Sequence, residues 1–402
     1  MGELGKILVV SQHYPPDTTT TATYLGDIAR ALAADRRVVV LSGSPHSASS
    51  GAANPEVTEI AGSAAPKDAL TRRAIAIVWL AIRMFLATLR RAGRRDVVFC
   101  VTTPFTLPYG VMLAARLRGA ATVLLIYDLY PEALQAAGLA KPSSLTARLI
   151  RRANAVLFRR LDAIITIGRD VAPLLLTYPG VAREKIHFIP NWTQLPAGYR
   201  DVPADNRFRA GRQTQLIVGL SGNLGFTHHP RTVFEAARLL RNSGDIHFLL
   251  SGWGIGWNEL NELQAKEKLA NVTLLPPVPQ AELTDLLSSA DIWLIPYRRN
   301  IAGVSIPSRL YNLLAIGRAI IVAAEPNAEA ALVIVEERIG WVVPPEEPAA
   351  LADAIARAAK DRAGIAEKGR RAAAAAAKYS AEVALARYRD VILQAGSSDL
   401  RS

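Results

Sequence analysis

The sequence predicts an α/β protein built from two doubly wound parallel-sheet domains. Three observations lead there. Short β-branched runs alternate with longer amphipathic stretches through nearly the whole chain, as βαβ units require. A length of 402 residues suits two or three domains. From Asn191 to Thr214 the alternation stops, and Pro196, Gly198, Pro203 and Gly211 stand among polar residues, which reads as a linker.

The first series has strands expected at Lys6 to Val10, Val38 to Leu41, Val97 to Val101, Ala121 to Ile126, Ala163 to Ile167 and Lys185 to Ile189. The second has them at Leu216 to Leu220, Ile246 to Ser251, Val272 to Leu275, Ile292 to Ile295, Ala319 to Ala323 and Gly340 to Val343. Pro348 to Gln394 is Ala-rich, and Ala372 to Ala377 is a strong helix former. The expected domains are 1–192, a linker 193–214, 215–377, and a C-terminal helical segment 378–402.

Half the residues are hydrophobic and 20% charged, which excludes disordered and collagen-like classes. Lys plus Arg total 47 against 35 Asp plus Glu, a net charge of +12 that favours anionic partners. Nucleic acid is not expected, because no helix-turn-helix, zinc-finger or RNA-binding signature accompanies the charge. The single Cys100 excludes a disulfide framework and any multi-cysteine metal site. The apolar run at Met1 to Val10 is too short for a signal peptide, so a cytosolic chain is expected.

Much of the positive charge sits in two acid-free intervals, Ala69 to Arg95 and Ala133 to Leu161. In the first, Arg72, Arg73, Arg83, Arg90 and Arg91 bracket an apolar run with Trp79 and Phe85. It is too short for a span and has Arg83 at its centre. Two readings stand side by side: an interfacial helix on an anionic membrane, anchored by Trp79 and Phe85, or an ordinary crossover helix with solvated arginines.

Chemistry is expected at strand exits, where open α/β sheets bind ligands and helix N-termini attract anions. Ser11-Gln-His-Tyr-Pro-Pro-Asp17 follows the first strand and runs into Thr18 to Thr21. Tyr127-Asp-Leu-Tyr-Pro-Glu132 places Asp128 and Glu132 after another. In the second half, Gly222 to Gly225 offers backbone amides to a diphosphate with His228 or His229 nearby, and Ser251, Gly252 and Gly254 lie in a second Gly-rich exit. Ser308 and Arg309 open a helix. A cation there runs against the dipole preference, and a bound polyanion resolves the misfit.

Tyr14-Pro-Pro-Asp17, Asp128-Leu-Tyr-Pro-Glu132, Ile189-Pro-Asn-Trp192, Ser221-Gly-Asn-Leu-Gly225 and Pro307-Ser-Arg-Leu-Tyr311, in this order, resemble glycosyltransferase family 4, in its bacterial exopolysaccharide, colanic-acid and O-antigen branch. The resemblance covers nearly the whole chain. It implies a GT-B fold, two Rossmann-like domains facing a cleft, with the C-terminal helix returning to the first. It assigns the donor nucleotide-sugar to Gly222, Asn223, Leu224, Gly225, His228, Ser251, Gly252, Gly254, Val278, Ser308, Arg309, Leu310 and Asn312, and the acceptor to Asp17, Thr20, Thr21, Asp128 and Glu132. The strong cations many members carry are replaced here by Asn223 and His228, and the Glu-x7-Glu pair by Val304 and Asn312.

The resulting expectation is a retaining, metal-independent transferase with no cofactor beyond the nucleotide-sugar donor, acting on a lipid-linked glycan at the inner face of the cytoplasmic membrane. Arg309, Asp128 and Glu132 are the catalytic candidates. No Asp-x-Asp occurs, so protein cations are assigned the leaving diphosphate. A nucleotide-sugar epimerase on the same fold and a non-catalytic membrane-associated assembly subunit remain as alternatives.

Overall fold

A computed structural model describes residues 5–44, 54–60, 70–203, 205–306 and 308–397, with side chains from 75 onward in the segment that starts at 70. Pro307 therefore lies outside the described residues, as do the side chains of Arg72 and Arg73. The chain divides into two compact units: Met1–Pro131, Ser143–Pro190 and Glu382–Ser402 in one, Glu132–Pro142 and Asn191–Ala381 in the other.

The first unit holds a seven-stranded parallel sheet in the order β3-β2-β1-β4-β5-β6-β7. Its strands are β1 (Ile7–Ser11), β2 (Val38–Ser42), β3 (Glu56–Glu59), β4 (Val97–Val101), β5 (Ala121–Ile126), β6 (Ala163–Thr166) and β7 (Ile186–Phe188). Five of these, β1, β2, β4, β5 and β6, are buried along their whole length, as continuous apolar runs covered on both faces demand. The edge strand β3, sequence EVTE, has no such pattern and was not expected.

The helices α1 (Thr20–Ala33), α2 (Leu70–Arg91), α3 (Leu107–Leu117), α4 (Glu132–Ala136), α5 (Leu145–Arg160) and α6 (Val171–Leu175) alternate with these strands. Thr19 caps α1 by accepting from the Ala22 N–H, and Ser144 caps α5 from the Ala147 N–H. α4 counts with the second unit.

The second unit has six parallel strands in the order β10-β9-β8-β11-β12-β13. They are β8 (Leu216–Asn223), β9 (Ile246–Trp253), β10 (Val272–Leu275), β11 (Ile292–Pro296), β12 (Ala319–Ala323) and β13 (Gly340–Val343), interleaved with α7 (Pro230–Leu239), α8 (Ile255–Glu267), α9 (Leu283–Ser289), α10 (Arg309–Ile316), α11 (Glu329–Glu336), α12 (Pro348–Ala359) and α13 (Arg362–Ala375). Alternate residues of β11 feed two separate cores, Ile292 and Leu294 one, Trp293 and Ile295 the other, so the sheet is sandwiched. The last helix, α14 (Ala381–Ser397), packs in the first unit, where Tyr388 meets Phe99 edge-on and Arg389 makes a two-pronged pair with Asp35.

Candidate active site

In the second unit, β8 and β9 continue past the expected strand ends and pair as Gly222 with Gly252 and Asn223 with Trp253. Small residues permit this: a side chain on Gly252 would start 2.5 Å from the Gly222 carbonyl oxygen. Gly222 itself has φ +110, which leaves the loop turning over the start of α10.

Under that turn lies Arg309, the first residue of α10. Its guanidinium carbon is 3.5 Å from where a side chain on Gly222 would begin, and Nη2 donates to the Asn223 carbonyl. Nη1 is buried with no partner. Burial, with the Tyr297 hydroxyl pulling the other way, lowers the Arg309 pKa to about 10, so the group stays cationic at neutral pH.

His228 is buried beside it and stacks on Tyr297, with centroids 5.5 Å apart. Its Nδ1 is 3.2 Å from the Thr227 hydroxyl, and Nε2 has no partner. Burial, reinforced by Arg309 and Arg298, drives its pKa far down. His228 is thus a neutral hydrogen-bonding group, where the sequence had placed it only as a group near negative charge.

The loop is laced to the exit of β11, the His229 N–H donating to Pro296 and the Arg298 N–H to Thr227. Arg298 and Tyr297 were not read from the sequence; they enter because β11 ends opposite the loop. An arginine directly after an apolar strand was the available signal for one of them.

Several expected donor contacts also carry structural duties. Leu224 and Leu310 are fully buried core residues, and the Leu224 N–H and carbonyl are taken by Trp253 and Gly256. Ser251 Oγ donates to Pro276, Val278 is half-buried against the core, and Asn312 Oδ1 accepts from the Gln194 N–H at 3.0 Å. Gly225 and Gly254 line the loop around Asn223, Gly254 at φ +97. Ser308 precedes α10 and makes no side-chain cap.

In the first unit, Asp17 is the centre of a cluster at the exits of β1 and β2. Its carboxylate accepts from His13 Nδ1 at 2.6 Å, the Thr19 N–H at 2.9 Å and Ser44 Oγ at 3.1 Å. Burial raises its pKa, but the bonds from His13, Thr19 and Ser44 outweigh that and hold it below the usual range. With Asp17 ionised, Nδ1 of His13 carries the proton. His13 was not singled out, although a His and an Asp four residues apart before a helix start is a readable signal. Thr20 and Thr21 form the first turn of α1.

Asp128 stands half-buried after β5 in the first unit, whereas Glu132 is buried in α4 of the second. On α2, Trp79 is 53% exposed, while Phe85 turns half-buried onto α3, its Cβ 3.4 Å from where a side chain on Gly110 would start. Phe85 thus leaves the outward stripe. Arg83 is half-buried with a partner, and Arg90 and Arg91 are exposed.

The family model "Glycosyl transferase 4-like domain" matches residues 19–192, and "Glycosyl transferases group 1" matches residues 215–361. The chain is 29% identical to the protein named as probable glycosyltransferase WbjE of Pseudomonas aeruginosa, over 71% of this chain and 72% of that one. It is also 29% identical to a protein of Escherichia coli K12 named for colanic acid biosynthesis, glycosyl transferase WcaI, over 81% and 84%. Among solved structures, sucrose-phosphate synthase from Thermosynechococcus elongatus matches with a TM-score of 0.74 at 16% identity, covering 97% of this chain and 98% of that. HepE of Anabaena, solved with UDP and glucose, matches at 0.68 and 16%, covering 98% and 100%. Two parallel-sheet units of this order, matched over residues 19–192 and 215–361 by two glycosyltransferase domain models, make the chain a GT-B glycosyltransferase of the group 1 family.

Proposed function

We propose that this enzyme transfers a sugar from a nucleoside-diphosphate sugar to a lipid-linked glycan during assembly of a bacterial surface polysaccharide. The observation that carries the donor half is the buried, unpartnered Nη1 of Arg309 beneath Gly222. A desolvated cation with an unused donor, at the exit of a parallel strand and the start of a helix, fits a diphosphate. The complex of HepE with UDP and glucose supports the same ligand class. The polysaccharide context is supported by the likeness to WcaI.

In this reading Arg309 and Arg298, rather than a metal, offset charge on the leaving diphosphate as the bond from the sugar C1 to the phosphate oxygen breaks. The acceptor hydroxyl forms the new bond to C1 on the same face, with retention. Its proton leaves with the diphosphate. Asp17, Thr20, Thr21 and Asp128 serve the acceptor, and Trp79, Arg90 and Arg91 hold the protein on the anionic inner face of the cytoplasmic membrane.

Thermal shift with UDP, GDP, ADP and dTDP tests the donor site, since a ligand held at 100 times its Kd stabilises by about 2.7 kcal/mol. One base should raise Tm, and the rise should vanish in Arg309→Ala. No rise with any diphosphate at millimolar concentration would refute the donor site. NMR of the product's anomeric proton, with and without EDTA, tests retention and metal independence.

A further inference from the structure

The first unit carries an apolar groove that the transfer reaction does not use. It lies between α3 and α5, holds about 530 Å³, and has a floor and walls that include Leu113, Val156 and Leu157. That volume falls within the range of small-molecule sites. Leu113 and Val156 remain largely exposed, as do Leu117 on α3 and Leu145 and Leu149 on α5. Soluble surfaces seldom keep so many large apolar side chains together.

Both ends of the groove are tied. At one, the Tyr109 hydroxyl donates to Asn154 Oδ1 at 2.6 Å; at the other, Arg116 Nη1 donates to the Arg160 carbonyl at 2.6 Å. The seven-residue step along α3 from Tyr109 to Arg116 sets a length of about 10 Å. Arg116, Arg152 and Arg160 line it, all exposed, and neither helix contains an acidic residue. An apolar slot whose only charged lining groups are cations complements one kind of molecule, a hydrocarbon chain with an anionic head.

Position decides which such molecule. α3 and α5 each lead into the strand that follows, so the Arg116 and Arg160 end lies at the amino edge of the sheet. Reactants in open α/β sheets bind at the carboxyl edge, where Asp17 stands. A head group held by Arg116 and Arg160 is therefore remote from the reacting end. α2, which packs on α3, shows an outward apolar stripe of Ile75, Val78, Trp79, Ile82 and Leu86 beside the groove's helix.

We infer that the α3–α5 groove takes up one acyl chain of an anionic bilayer phospholipid, with its phosphate against Arg116 and Arg160. This deepens, and rests on, the membrane-surface reading above. The groove makes attachment selective for anionic lipid rather than merely apolar.

The test uses the full chain with phosphatidylcholine vesicles containing phosphatidylglycerol that bears a diazirine on one acyl chain, followed by irradiation and peptide mapping. Label should enter Leu113–Leu117 and Ala153–Leu157. It should fall about tenfold in Ala153→Trp, which fills the slot and displaces roughly two buried methylenes. A second variant, Arg160→Ala, changes only an exposed side chain at the head-group end and should cut the preference for the phosphatidylglycerol probe over a phosphatidylcholine probe about fivefold. Sedimentation with label confined to α2 would overturn the groove and keep the membrane reading; equal label from both probes in the unmodified protein would overturn its head-group half. Cross-links between two copies through the groove, or better competition by a prenyl phosphate than by phosphatidylglycerol, would give it another occupant and refute the proposal. Failure to sediment with any vesicle would overturn both readings.

Discussion

Arg309 and Gly222 stand face to face, the guanidinium carbon 3.5 Å from the point where a side chain on Gly222 would begin, with Nη2 bonded to the next residue's carbonyl. The cation is held by backbone and not by a carboxylate. It therefore keeps its full charge for a ligand, and removing it should cost turnover about 10²-fold or more. Gly222→Ala forces a side chain into a left-handed backbone for about 1 kcal/mol of stability and crowds the guanidinium. Its thermal shift with the binding nucleoside diphosphate should shrink beyond what the lower Tm explains. An unchanged rate in Arg309→Ala would reject the assignment.

His13 and Asp17 form the second test. With Asp17 holding Nδ1, the His13 ring is fixed in place to orient an acceptor hydroxyl. His13→Ala should lower transfer by about 10²-fold while the thermal shift from the binding nucleoside diphosphate persists. Asp17→Asn should give a similar loss, since the carboxylate gains its strength from His13, Thr19 and Ser44 together. Full activity in both variants would remove the dyad from the reaction.

The outward face of α2 predicts attachment. The protein should sediment with anionic vesicles and release as salt rises, because surface attraction decays over about 10 Å at 0.1 M salt. Trp79→Ser should weaken binding about tenfold, the effect of losing one large apolar contact. Phe85→Ala should act mainly on stability, since Phe85 packs toward Gly110. Equal recovery with neutral and anionic vesicles would exclude the electrostatic part.

Acid should weaken the second unit through buried histidines. Burial, with Arg212 adding to it, pushes His247 down to about 4, and its Nε2 lies 2.8 Å from the Thr273 hydroxyl. The unfolded chain protonates near pH 6.5 and the folded chain only near 4, so stability is full above 6.5 and falls between those values. The loss reaches about 3 kcal/mol. His228 acts in the same direction. In urea titrations, His247→Gln should flatten the dependence between pH 6.5 and 4; an unchanged slope would contradict this.

The central strands were legible because burial on both faces leaves uninterrupted apolar runs; Val97–Val101 and Ala319–Ala323 fall where the sequence put them. β3 was not, because EVTE at an exposed edge carries little apolar signal. The ends of β8 and β9 looked like loops, since glycine usually marks a turn. Here Gly222 and Gly252 allow two strand ends to approach and the ladder to run on. Arg309 was readable as a cation at a helix start. Its neighbours were not, because Tyr297 and Arg298 reach His228 only through a long-range pairing of His228 with Tyr297.

The division of the chain carries a practical consequence. Glu132–Pro142 counts with the second unit although first-unit sequence flanks it on both sides, and Glu382–Ser402 counts with the first. Ala136 in that short insert packs on the second unit's core. Severing the polypeptide at residues 193–214 would thus strand a piece of each half on the wrong fragment. Two such fragments produced together should recover each other by complementation.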